Sequence, residues 1–143
     1  MLNHKMRHEL EGQDRIHKYL MGGRGVVTLQ SESGVHHTYR FQIPKNHRDE
    51  DDTMFIQTLI DGNTWVYVGM YKEKRFHLTK SSHFKIDSPI VKGVAFILKL
   101  MFRTNFSDSR MHLYHEGICS RCGRPLTSPE SIESGIGPVC RDK

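Results

Sequence analysis

The three cysteines of this 143-residue chain sit near its C-terminal end, in the pattern His115-x3-Cys119-x2-Cys122-x17-Cys140. Three thiolates and one imidazole make a tetrahedral set for Zn²⁺, which takes soft sulfur and borderline nitrogen donors. Two residues between Cys119 and Cys122 let both sulfurs face one ion at about 2.3 Å while turn amides point at the thiolates. Gly123 permits the left-handed backbone such a knuckle uses, and Gly135-Ile136-Gly137-Pro138 can bring Cys140 back to the same point. A site closed by four protein ligands shapes the chain and does no chemistry, so one structural zinc is expected. His115 is the expected fourth ligand; Asp142, a water and His112 compete for that position.

A catalytic ion would need a different order. Zinc deaminases place H-x-E ahead of P-C-x-x-C, with an open coordination position and the glutamate as proton shuttle. Here His115 and Glu116 are adjacent, and the C-x-x-C precedes the lone Pro-x-Cys. Glu116 therefore reads as a solvated turn residue. His36, His37, His77 and His83 read as ordinary strand or loop residues. With no Gly-rich phosphate loop, acyl-transfer triad or paired carboxylates, the chain is not expected to be an enzyme, and no small-molecule substrate suggests itself. The acidic run Asp49-Glu50-Asp51-Asp52 reads as a solvated loop.

Two groups of residues could grip a partner instead. Trp65, Tyr67 and Tyr71 share one parity along a strand-like run, with Lys72, Lys74 and Arg75 close by and Lys80 beyond. Aromatics on a sheet with cations at the margin can stack and track single-stranded nucleic acid. The competing reading places Trp65 and Tyr67 against a helix, in the core. Arg121, Arg124 and Arg141 surround the cysteines, where guanidinium groups can hold phosphates or base edges, or bond loop carbonyls and keep the knuckle shut.

These residues need elements to place them. Leu10, Ile16, Tyr19 and Leu20 among many charges predict an N-terminal helix over residues 4–21, ended by Gly22-Gly23. From Gly25 the apolar period shortens to two: Val26 to Gln30, a turn at Ser33-Gly34, then His37 to Ile43 predict a hairpin. Met54 to Ile60 and Thr64 to Tyr71 flank Asp61-Gly62-Asn63 as a second hairpin, and Arg75 to Thr79 adds a strand after Lys72-Glu73-Lys74. Ser88-Pro89 is a helix start, a capping hydroxyl followed by a residue suited to the first helical position. Ile90, Val94, Ile97, Leu98 and Met101 then form one apolar stripe, with Lys92, Lys99 and Arg103 off it. The expected fold is α+β: an antiparallel meander of about five strands over residues 25–80, with the helix 89–102 packed on one face. Residues 1–110 would form this domain, and 111–143 a zinc knuckle or ribbon that a short strand at Met111-His112-Leu113-Tyr114 leads into.

Composition bounds the rest. At 36% apolar and 26% charged residues the chain can build a modest core and is not disordered throughout. The formal charge of +5 allows contact with nucleic acid or an acidic protein without singling out either. An odd cysteine count with C-x2-C spacing favours metal in a reducing compartment over disulfides. The first residues have no apolar core for a secretory signal, and the longest apolar stretch, Val94 to Met101, is too short to span a bilayer. A soluble, cytoplasmic protein without a membrane partner is expected.

Residues 115–140 also resemble a zinc-ribbon-like family of unknown function found in tailed bacteriophages and some bacterial proteins. The resemblance is carried by His115-Glu116-Gly117, Cys119, Cys122-Gly123-Arg124, Leu126-Thr127, Pro129, Ser131-Ile132, Gly135-Ile136-Gly137-Pro138 and Cys140. Gly22-Gly23 before a strand, Thr38-Tyr39-Arg40 and Tyr67-Val68-Gly69 are more loosely similar to longer phage members. The resemblance implies a phage-encoded cytoplasmic protein with one zinc, with His115 at the family's histidine position. It implies no activity. Two functions remain open: a zinc-binding accessory protein that binds nucleic acid, or an effector that binds and inhibits or redirects a host protein such as a defence nuclease.

Overall fold

Two-residue periodicity takes up most of the chain and draws it into one sheet. The structure is a computed structural model that describes residues 8–44, 51–103, 110–117 and 119. Its elements run β1 (His8–Glu9), α1 (Gln13–Leu20), β2 (Arg24–Ser31), β3 (His36–Gln42), β4 (Met54–Ile60), β5 (Thr64–Lys72), β6 (Arg75–His77), α2 (Pro89–Phe102) and β7 (Met111–His115). All seven strands pair antiparallel in the order β1-β7-β2-β3-β4-β5-β6. Among the described residues no helix is long and apolar enough to cross a membrane.

The class is α+β, but the expected meander of about five strands is too small. Strands β2 to β6 follow the meander order; β7 then returns across the sheet and pairs with β2, and β1 pairs with β7. The strand expected at 111–114 is present and runs on to His115, whereas β1 has no strong pattern of its own. Each is held by a free edge that offers a row of unpaired amides and carbonyls: β2 presents one to β7, and β7 presents the next to β1. For the same reason the expected helix at 4–21 shortens to Gln13–Leu20, with His8 and Glu9 drawn into the sheet edge. The strand 111–115 is thus a member of the sheet; the rest of the zinc-binding module, save Glu116, Gly117 and Cys119, lies outside the described residues.

Both helices lie on one face of the sheet, called here the inner face. Val27, Leu29, Tyr39, Phe41 and Ile56 are buried there, in one core with Ile16, Tyr19 and Leu20 of α1 and with Val91, Val94, Ile97 and Met101 of α2. The start of α2 is as the sequence predicts: Ser88 Oγ accepts the Val91 N–H at 3.2 Å, and Pro89 occupies the first turn. Gly93 sets how closely α2 approaches. A Cβ built there would lie 2.2 Å from the Tyr39 hydroxyl, which donates to the Ile90 carbonyl at 2.7 Å. At the other end of α2, Gln13 Nε2 donates to the Met101 carbonyl at 2.9 Å and ties the two helices together.

Strand β5 breaks the alternation expected of it. Its register with β4 shifts between Ile56 and Gln57, so that Ile56 faces Gly69 while Gln57 faces Tyr67. Val68 is the extra residue of a bulge, and every side chain beyond it changes face. Tyr71 consequently points inward: it is 2% exposed and stacks on Phe102 of α2 at a centroid separation of 6.1 Å and an interplanar angle of 14°. Trp65 and Tyr67, before the bulge, stay on the outer face.

Candidate metal centre and outer sheet face

His115 closes β7 on the inner face, opposite Val27 on one side and His8 on the other. It is 1% exposed, and its ring stacks against Tyr19 at 5.3 Å and 27°. The His115 Nδ1 accepts the N–H of Gly117 at 3.0 Å, so this nitrogen presents its lone pair toward the turn that leads to Cys119. Cys119 is buried. Burial drives the Tyr19 phenol well above its usual range; the Val26 carbonyl it bonds opposes this, and the charges of Cys119 and Glu116 push it further up. Tyr19, His115, Glu116 and Cys119 therefore share one neighbourhood at the β7 end of the sheet. A thiol and an imidazole at that end fit zinc in kind.

The remaining expected ligands, Cys122 and Cys140, lie outside the described residues, as do Arg121, Arg124, Arg141 and Asp142. Among the described residues no group of three or more metal-binding side chains assembles. His112, a competitor for the fourth ligand, stands on the opposite face of β7 from His115 and pairs with Glu9, Nδ1 to Oε2 at 2.7 Å.

Glu116 is not the solvated turn residue expected. It is 3% exposed, and its carboxylate accepts a hydrogen bond from the Thr28 hydroxyl on the outer face. Thr28 shares a second bond with Thr38 at 2.7 Å, and both threonines are buried. The Glu116 N–H donates to the Val26 carbonyl at 3.3 Å, fixing the turn after His115. A threonine in an otherwise apolar central strand was the one trace of this network in the sequence. Nothing short of the β2–β7 pairing supplied its partner.

Further along the same face, the sheet opens. The Arg40 guanidinium lies 4.5 Å from the centroid of the Trp65 ring. Arg40 Nε donates to Gln57 Oε1 at 2.7 Å, and Nη2 donates to the same oxygen. Phe55, 40% exposed, meets Tyr67 edge to face at 6.1 Å and 79°. The Tyr67 hydroxyl accepts from Thr79 at 3.1 Å. Arg40, Gln57 and Phe55 were missed in the sequence because only strand pairing brings Arg40 to Trp65 and Gln57 and Phe55 to Tyr67. Tyr71 drops out of this surface, whereas Lys72 and Arg75 face each other across the β5–β6 hairpin, both exposed. Lys74 turns instead toward the Phe102 ring, 6.0 Å from its centroid, and the Glu73 N–H in that turn is held by the Asp52 carboxylate.

Residues 110–143 match a family of unknown function (DUF6011). The match begins at the residue before β7 and covers His115 and all three cysteines. No curated protein and no solved structure matches the chain.

Proposed function

We propose that this chain is a small phage-encoded zinc-binding accessory protein that works in the host cytoplasm and binds nucleic acid. The observation that carries the nucleic-acid reading is the open part of the outer face, where Arg40 lies over Trp65 and Phe55 meets Tyr67. Flat rings beside fixed cations suit bases and phosphates together. The zinc reading rests on donor chemistry: His115 and Cys119 are buried at one end of the sheet, and Cys122 and Cys140 follow at ligand spacing. When bound, the ion supplies a rigid frame for the tail and no reaction. Arg121, Arg124 and Arg141, which surround the same cysteines in sequence, are further candidates for partner contact.

Binding of labelled single- and double-stranded oligonucleotides, followed by fluorescence anisotropy at two salt concentrations, tests this reading. Phosphate contact gives an affinity that falls steeply with salt. No binding at the lower salt would replace nucleic acid with a host protein as the partner. Elemental analysis of the purified chain should find one zinc per molecule, and its absence would remove the metal from the proposal.

A further inference from the structure

Strands β3 to β6 contain no aspartate and no glutamate, yet they carry Arg40, Lys72 and Arg75. Their outer face is therefore one-signed as well as aromatic. Trp65 and Tyr67 are half-buried rather than lost in the core, and neither helix covers them. Arg40 is constrained in a way an ordinary surface arginine is not. Two of its nitrogens are committed to Gln57, which fixes the guanidinium plane over the Trp65 ring; among the described residues Nη1 makes no bond and can donate to a ligand.

Resting on the proposed function, we infer that this open end is a single-strand site: an unpaired base stacks on the Arg40–Trp65 pair, a neighbouring base meets Phe55 and Tyr67, and Lys72 and Arg75 take the backbone phosphates. Unpaired bases are required because the bases of a duplex are already stacked on one another and show only their edges and phosphates. A duplex is gripped by rows of cations along the backbone, and here the cations are few and the flat apolar surface is large. Stacking tolerates every base, so little sequence preference is expected.

Trp65 is the sole tryptophan of the chain, so the intrinsic emission of the whole protein reports this site and no other. The test is a titration of the intact protein with an oligothymidylate of about 16 nucleotides, the upper range of site sizes in such grooves, and with a duplex of equal length. Tryptophan emission and the anisotropy of a labelled strand are read together. The single strand should quench Trp65 saturably, in step with the anisotropy, while the duplex quenches little. Arg40→Ala and Trp65→Ala should each weaken single-strand binding at least about tenfold, and Trp65→Phe should recover most of the loss because a ring remains. Phe55→Ser removes an exposed ring with little effect on folding; it should weaken binding several-fold while circular dichroism stays unchanged. Binding seen by anisotropy with constant emission and a Trp65→Ala variant equal to wild type would place nucleic acid elsewhere, overturning this site but not the proposed function. Absence of any oligonucleotide binding would overturn both. Quenching by polyglutamate as strong as by the oligothymidylate would overturn the single-strand assignment in favour of an acidic protein partner.

Discussion

Around Thr28 and Glu116 the outer face of the sheet is buried, whereas at its β4–β5 end the same face is open. The closed end holds polar groups bonded to one another: Thr38, Thr28 and Glu116 form a buried chain. The open end holds rings and cations, with Arg40 braced by Gln57 beneath a surface that water reaches. Strand β3 contributes to both, through Thr38 and Arg40 two residues apart. The contrast shows that exposure and chemistry together, rather than residue type alone, separate the part that builds the molecule from the part free to meet a partner. The same side chains that look functional in a list, a glutamate and two threonines, serve structure here because they are buried and bond one another.

Several changes would break or sharpen this contrast, the largest first. Cys119→Ser should abolish bound zinc, measured by elemental analysis, because a site that loses one of four ligands loses most of its affinity. Strand β7 should survive that change, since its backbone is paired on both sides by β1 and β2. Retained metal at wild-type content would show that Cys119 is not a ligand.

At the closed end, Thr28→Val removes the donor to a buried carboxylate and should lower unfolding stability by about 2–3 kcal/mol in urea. An effect near zero would mean that Glu116 relaxes without loss, and the closed end would not be the structural part. Beneath both ends, Gly93→Ala drives a methyl into the Tyr39 hydroxyl and should destabilise by about 1–3 kcal/mol. Tyr39→Phe in the same chain removes the obstacle, so the double variant should lose less than the sum of the singles.

At the open end Phe55→Ser should alter stability by no more than about 0.5 kcal/mol, as for exposed positions generally, while nucleic-acid affinity falls. The smallest effect concerns pH. The hydrogen bond to the Glu9 carboxylate is the main cause holding the His112 pKa above its ordinary 6.5. A raised folded pKa gives stability that is present below the unfolded value and lost as pH rises through the folded one. In Glu9→Gln the His112 titration, followed by NMR, should move down toward 6.5; an unchanged midpoint would show that the pair does not form in solution.

Local chemistry was readable in the sequence wherever neighbours along the chain decide the outcome. The Ser88-Pro89 helix start and the apolar stripe of α2 are of this kind, as are the turns at Ser33-Gly34 and Asp61-Gly62-Asn63. What escaped depends on distant pairing. Strand β1 exists through its pairing with β7; a strand at β7 was expected, but not its place in the sheet beside β2, which buries Glu116 next to Thr28. The bulge at Val68 has no local signature, yet it carries Tyr71 from the expected binding surface into the core. The place of Gly93 in α2 is explained only by the Tyr39 hydroxyl opposite it, which leaves no room for a side chain. Of the expected site, the outer-face placement of Trp65 and Tyr67 and the burial of His115 and Cys119 are described; the ligand set as a whole extends beyond the described residues.

Backbone hydrogen exchange, followed by mass spectrometry with and without excess oligothymidylate, tests most directly whether the open end meets the partner. Slowed exchange is expected at the edge of β5, where Thr64 to Tyr67 border no further strand of the described sheet, and in the adjoining β4–β5 turn, with α1 and α2 unchanged. Protection confined to the helices while the oligonucleotide is bound would contradict the assignment of the outer face.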